Sequence, residues 1–161
     1  MFRPMRRSRQ QLSDDETRAI LRAGRTAVLA VSGDDGYPYA VPVNYVYTDE
    51  CIYFHCAREG HKLDAIRRSD KVSLCVIARD EVDAEALTDR FTSVIVFGRA
   101  RILTDEEEVR RAIEVFGLGF TDDHAAVDAE IAKGWDALCM VEVTVEHATG
   151  KEAIELARRR T

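Results

Sequence analysis

No two cysteines of this chain stand in C-x-x-C spacing, and three of the four, Cys51, Cys56, Cys75 and Cys139, fall inside apolar runs that read as strands. A structural zinc site needs ligands clustered on turns, and only Cys56 has a histidine beside it. The four therefore read as reduced, buried small hydrophobes, and no metal is expected. No run of about 18 apolar residues exists, and the arginine-rich N-terminus lacks a following apolar signal core, so a soluble, cytoplasmic protein without a membrane span is expected. The phosphate loops G-x-x-x-x-G-K-[ST] and G-x-G-x-x-G are missing, as is the G-x-S-x-G nucleophile elbow. Positive charge is also in deficit. The net charge of -6 disfavours nonspecific nucleic-acid binding, which depends on neutralising many phosphates.

What is present is a single globular domain, residues 1–161: 46% of the residues are hydrophobic and 32% charged, with no repeat or low-complexity segment. Residues 1–12 carry Arg3, Arg6, Arg7 and Arg9 without periodicity and read as a mobile arm. Ser13-Asp14-Asp15-Glu16 fits a capping box, which predicts a helix from Asp14 to about Ala23, ended by Gly24. Thr26 to Ser32 is a β-branched apolar run, and Gly33-Asp34-Asp35-Gly36 tolerates positive φ, so a hairpin follows. From Tyr37 to Tyr47 the pattern is strand-like but broken by Pro38 and Pro42. Proline cannot donate to a ladder, which puts this strand at an edge or a bulge and frees backbone groups for a flat heterocycle. Thr48-Asp49-Glu50 turns the chain into a strand from Cys51 to Cys56.

A short basic helix is expected from His61 to Arg68, then a strand from Lys71 to Ala78, an acidic loop from Arg79 to Asp89, and a strand from Phe91 to Leu103 with Gly98 at a bulge or close approach. A second capping box at Thr104 starts a helix to about Gly117, with Val109, Ala112, Ile113 and Phe116 on one stripe. Another helical stretch spans Asp122 to Ala132, and the last strand runs from Trp135 to Val145. About six strands with hairpin-type connections favour an antiparallel sheet, and closing it into a small barrel would hide its edges.

The chemistry gathers at Ala57 to Lys62. A strand end, Gly60 and a helix N-terminus bring free amides and a positive dipole end together, and His61 and Lys62 add side-chain donors, so the segment is built for an anion. His55 shares a strand face with Tyr53, opposite Ile52, Phe54 and Cys56, and is the candidate proton donor near neutral pH. All five tyrosines lie between Tyr37 and Tyr53, which suits a half-wet surface on adjacent strands. Cys56 lacks an orienting acid for nucleophilic catalysis.

Five segments in order, Gly36-Tyr-Pro-Tyr-Ala-Val-Pro-Val-Asn44, Tyr53-Phe-His-Cys-Ala57, Glu59-Gly-His-Lys62, Thr92-Ser-Val-Ile-Val-Phe-Gly98 and Thr149-Gly-Lys151, give the chain a family likeness from about Met5 to Ala153. It resembles the pyridoxamine 5′-phosphate oxidase-like flavin split barrels, and among them the subgroup related to nitroimidazole-resistance (Nim) proteins. The resemblance implies a mainly β fold with peripheral helices, a six-stranded antiparallel split β-barrel of FMN-binding type, and a homodimer holding FMN at the subunit interface. The matching cofactor positions are Pro42, Val43, Asn44 and Tyr45 along the ring, His55, Cys56, Ala57, His61 and Lys62 around the phosphate, and Ser93 with Val94 on a later strand. Trp135 is a further candidate, approaching from the second subunit. The implied activity carries electrons from NAD(P)H through flavin to a small electrophile such as a nitroaromatic. Haem or a deazaflavin are alternative cofactors, and a non-catalytic flavin-binding or sensor protein is the alternative role. The chain is short and lacks an arginine-rich substrate signature, so pyridoxamine phosphate is not the expected substrate.

Overall fold

The computed structural model of the chain describes residues 1–48 and 50–158. Ser13 accepts the Glu16 amide while the Glu16 carboxylate takes the Ser13 amide, so the capping box starts α1 (Asp14–Ala23) as the sequence predicts. Alternating apolar residues then build β1 (Thr26–Ser32) and β2 (Pro38–Asn44), joined by a turn in which Asp35 and Gly36 take positive φ. After β3 (Val46–Thr48) the chain reverses into β4 (Cys51–Ala57). Of the expected turn between them, Asp49 lies outside the described residues and Glu50 has φ 64.

Next come α2 (His61–Arg68), β5 (Lys71–Arg79), a two-stranded ribbon of β6 (Val82–Asp83) and β7 (Thr88–Asp89), and the long β8 (Thr92–Ile102). The helices α3 (Glu106–Leu118) and α4 (His124–Gly134) form a hairpin, β9 (Leu138–Glu152) follows, and α5 (Ile154–Ala157) ends the described chain. Among the described residues no helix is long and apolar enough to cross a membrane.

The main sheet has seven strands in the order β2-β1-β5-β8-β9-β4-β3, with every pairing antiparallel. The fold is thus the mainly β, curled half-barrel sheet with peripheral helices that the sequence led us to expect, with seven strands in place of six. The extra one arises because the run from Tyr37 to Tyr47 is two strands, at opposite edges of the sheet. The acidic loop also holds a small ribbon, and the last strand continues past Val145 to Glu152 because β8 pairs with it along that whole length. Gly98 does sit at a register shift between β8 and β9.

Two apolar cores flank the sheet. The barrel interior packs Leu29, Phe54, Leu74, Val96 and Val141 under α1 and α2, while Ile113, Phe116, Ile131 and Met140 pack the α3–α4 hairpin against the other face. The N-terminal arm is not a loose tail. Gln10 is buried and donates to the Glu152 carbonyl at 2.9 Å, Leu12 N–H donates to the Gly150 carbonyl at 3.0 Å, and the Phe2 ring stacks on His147.

Candidate functional site

The site begins where β2 and β3 part. The β3–β4 register pairs Val46 with Tyr53 and Thr48 with Cys51, and its continuation would set Asn44 opposite His55 and Pro42 opposite Ala57. Instead, residues Pro38 to Asn44 pair with β1, and β4 beyond Tyr53 pairs only with β9. Two strand edges therefore face each other across a gap, with β2 and β4 still in contact.

Tyr45 makes the parting. Its side chain is fully buried, its Oη donates to the Leu21 carbonyl at 3.0 Å, and its N–H donates to the Arg25 carbonyl at 3.0 Å. Burial pushes the phenol up to about 12. Because antiparallel bonds alternate, the Tyr45 bond to Arg25, the residue just ahead of β1, puts the backbone groups of Val43 on the β1 side and those of Pro42 and Asn44 on the gap side. Pro42 thus occupies a position that needs no N–H, which is why proline is tolerated there. Of the four residues picked from sequence along this strand, Pro42 and Asn44 present backbone to the gap; Val43 and Tyr45 are committed to the fold. The Asn44 side chain donates to the Arg25 carbonyl and to Thr26 Oγ1, both at 3.2 Å.

On the other edge His55 is exposed, with its ring edge-on to Phe116 at 4.9 Å between centroids. Partial burial holds its pKa below the usual 6.5, so the imidazole is neutral at neutral pH. Tyr53, on the same strand face, is pinned elsewhere: its Oη donates to Glu142 Oε2 at 2.9 Å, and burial together with that carboxylate pushes its phenol far up. Cys56 lies beside Cys139 in register, and burial followed by that neighbour pushes its thiol up to about 11, against the pull of Lys62. A thiol held that firmly protonated is no nucleophile at neutral pH. Ala57 ends the strand, exposed at the gap.

Gly60 follows with φ 128, a conformation open to glycine, and its carbonyl accepts from Leu63 and Asp64. The amides of His61 and Lys62 are left without intrahelical acceptors, and no side chain caps this end. Lys62 is half-buried, makes no ion pair or hydrogen bond within the described residues, and is close enough to act on the Cys56 thiol. His61 points the other way. Its ring packs on Tyr39 at 4.1 Å, and its enclosed Nε2 is 3.6 Å from Asp34 Oδ2, a carboxylate already bound by Arg68 at 2.7 Å. The His61 side chain anchors α2 to the β1–β2 turn, and only its amide faces the candidate anion site.

Ser93 and Val94 stand apart from these groups. Ser93 pairs with Lys151 near the end of β9, whereas His55 and Ala57 pair with Met140 and Leu138 at its start. The separation is roughly 11 residues, ~35 Å of strand. Val94 is fully buried in the barrel core, while Ser93 faces outward. The tyrosine cluster likewise divides: Tyr45 and Tyr47 are core, and Tyr37 is exposed. Among the described residues no group of three or more His, Cys, Asp or Glu is placed to hold a metal ion.

Beside the gap, the α3–α4 hairpin overhangs a solvent-open cavity of about 630 Å³. His55, Cys56 and Ala57 line one side, Phe116 and Phe120 another, and Leu138 the back. From sequence, Phe116 belongs to a core stripe, Phe120 carries no signal, and Arg58 is one of the cations of the junction at residues 54–62 that could meet an anion. Arg58 donates to the Leu138 and Trp135 carbonyls at 3.2 and 3.1 Å and so fixes the start of β9. Trp135 is half-buried against the hairpin core. An arginine beside a strand end carries no sequence signal for such carbonyl bonds.

This architecture, an antiparallel half-barrel parted between two strand edges, defines a split-barrel protein. The sequence profile described as pyridoxamine 5′-phosphate oxidase matches residues 13–152, and the chain belongs to that family. It is similar in structure to a candidate 5-nitroimidazole antibiotic resistance protein from Bacteroides thetaiotaomicron, at 21% identity and a TM-score of 0.73, covering 88% of this chain and 86% of that one. It is similar also to an FAD-binding protein from Mesorhizobium loti, at 26% identity and a TM-score of 0.63, covering 89% and 96%. A third similar structure is the FAD and heme binding protein from Mycobacterium smegmatis, at 19% identity and a TM-score of 0.75, covering 89% and 73%. No protein of curated function matches the sequence.

Proposed function

We propose that the chain is an FMN-binding oxidoreductase of homodimeric form, passing electrons from NAD(P)H to a small electrophile such as a nitroaromatic. The observation that carries this reading is the pair of facing strand edges with an unpaired cation at one end. Pro42 and Asn44 offer backbone groups on one side of the gap, His55 to Ala57 on the other, and Lys62 with the first amides of α2 offers a phosphate site at the corner. A flat ring with a phosphorylated tail fits that sequence of donors. Flavin-binding proteins among the similar structures support the same class of ligand.

Bound flavin supplies hydride and electron transfer; the protein supplies position and electrostatics. His55, neutral at neutral pH, serves there as a hydrogen-bond donor and becomes a proton donor only on the acid side of its lowered pKa. A second copy completes the site. The outward face of β1, β5 and β8 is uncharged over Val28, Ala30, Cys75, Ile77, Ile95 and Phe97, with Ile77 62% exposed, and such a contiguous face suits self-association. Ser93 lies on that face, so it meets a flavin as Ser93 of the partner subunit.

The test is a titration of the flavin-free protein with FMN and with FAD, followed by absorbance and fluorescence. A flavin band near ~450 nm is expected, and a Soret band near ~410 nm would instead mean haem. Lys62→Ala is expected to weaken FMN binding by about 1 to 3 kcal/mol, the scale of a charge-assisted hydrogen bond, with riboflavin affinity unchanged. Equal FMN affinity in parent and variant at low salt would remove the phosphate assignment.

A further inference from the structure

We propose that the cavity under the α3–α4 hairpin is a binding site for uncharged, planar apolar molecules and rejects phosphorylated or carboxylated ones. The proposal deepens the reading above by naming the substrate class, since the cavity shares His55, Cys56 and Ala57 with the β4 edge assigned to the cofactor. At about 630 Å³ it falls within the size range of small-molecule pockets, roughly 300 to 1,000 Å³.

The lining sets the chemistry. Ile113, Phe116, Phe120, Val127, Ile131 and Leu138 make it apolar, and no lysine or arginine contributes. Glu130 is the one acid in the lining; its carboxylate is 3.6 Å from the exposed ammonium of Lys133, which lies outside the cavity. An anion would have to give up water against an apolar lining that carries a like charge and no lysine or arginine of its own, with the Arg25 guanidinium already over the Phe120 ring, which is costly.

The shape favours a flat guest. His55 meets Phe116 edge-on at 4.9 Å, Phe116 meets Phe120 at 5.1 Å, and the Arg25 guanidinium lies 5.6 Å from the Phe120 centroid. These contacts hold a wall of ring faces and edges ready for an offset-stacked aromatic. Phe120, 46% exposed, stands at the mouth, where an apolar ring in water gains from covering by a guest. The hairpin is held in place independently of any ligand. Gly117 lets Val127 approach so closely that a Cβ there would meet Val127 Cγ1 at 2.7 Å, and Arg58 ties the segment after α4 to the end of β4.

The experiment uses two probes on one aromatic framework, neutral N-phenyl-1-naphthylamine and its sulfonated analogue 8-anilinonaphthalene-1-sulfonate, titrated by fluorescence into the full-length, flavin-free protein. The neutral probe is expected to bind one per chain and at least tenfold more tightly than the sulfonate. Ala126→Phe and Ala137→Phe, two exposed lining positions where a ring would intrude into the cavity, are each expected to weaken the neutral probe tenfold or more with unchanged circular dichroism. Glu130→Lys is expected to narrow the gap between the probes. Equal or tighter binding of the sulfonate to the parent, or neutral-probe binding untouched in both filled variants, would overturn the proposal. So would full competition between the neutral probe and FMN, which would make the cavity part of the flavin's own site, or loss of probe binding as the chain self-associates, which would make it a subunit contact. Because the probe is read without flavin, failure of flavin to bind leaves this result standing, and the reverse also holds.

Discussion

His55 shows how one residue's surroundings set its use. Desolvation beside Phe116 lowers its pKa, so the unfolded chain binds a proton more readily than the folded one in the window below 6.5. Stability contributed by the neutral ring is therefore complete above that value and declines as pH falls towards the folded pKa. His55→Gln is expected to flatten this part of the profile, measured as urea midpoints from about pH 8 to about pH 5. Parallel profiles for parent and variant would mean that the ring is not desolvated. Lys62 and His61 are adjacent in sequence, yet only the first keeps a free side chain; Asp34 and Tyr39, far off along the chain, claim the second. Nothing local in the sequence distinguishes their roles.

At the scale of elements, the prolines located an edge correctly and glycine located a bulge. A Cβ on Gly98 would press on the Thr144 carbonyl and come within 2.8 Å of Val143 Cγ1. Gly98→Ala is expected to destabilise the protein by about 1 to 3 kcal/mol, the range for overpacking, read as a lower urea midpoint. Gly134 ends α4 with nothing within 4 Å of its added Cβ, so Gly134→Ala is the matched control and is expected to be neutral or to stabilise by up to about 1 kcal/mol. A similar loss in both would show that backbone freedom, and not the close approach, matters at Gly98. The division of Tyr37 to Tyr47 into β2 and β3 was not legible in this way. Tyr45 reads as one more alternating aromatic, and what splits the strand is its hydroxyl finding the Leu21 carbonyl and its amide finding Arg25.

For the whole molecule, the outward face of β1, β5 and β8 carries the expectation of self-association. Ile77→Asp would place a charge on it at the end beside Ser93, and the expected result is a shift from dimer to monomer in sedimentation together with weakened FMN binding, through loss of Ser93 of the partner subunit. A monomeric parent with tight flavin binding would overturn the shared site; a monomeric variant with unimpaired binding would remove the partner's contribution alone. By itself the sequence determined the antiparallel β class, the capping box of α1, the proline-bearing edge and the glycine turn that leads into α2, because each rests on periodicity or on chemistry confined to a few neighbouring residues, whereas α3 is capped by Asp105 and not by the expected Thr104. Tertiary structure alone decided that β2 and β4 face each other across a gap, that Ser93 and His55 pair with opposite ends of β9, and that Phe116 and Phe120 wall a cavity. Those outcomes depend on sheet register and on which distant groups capture a side chain, and neither is encoded in the spacing of near neighbours.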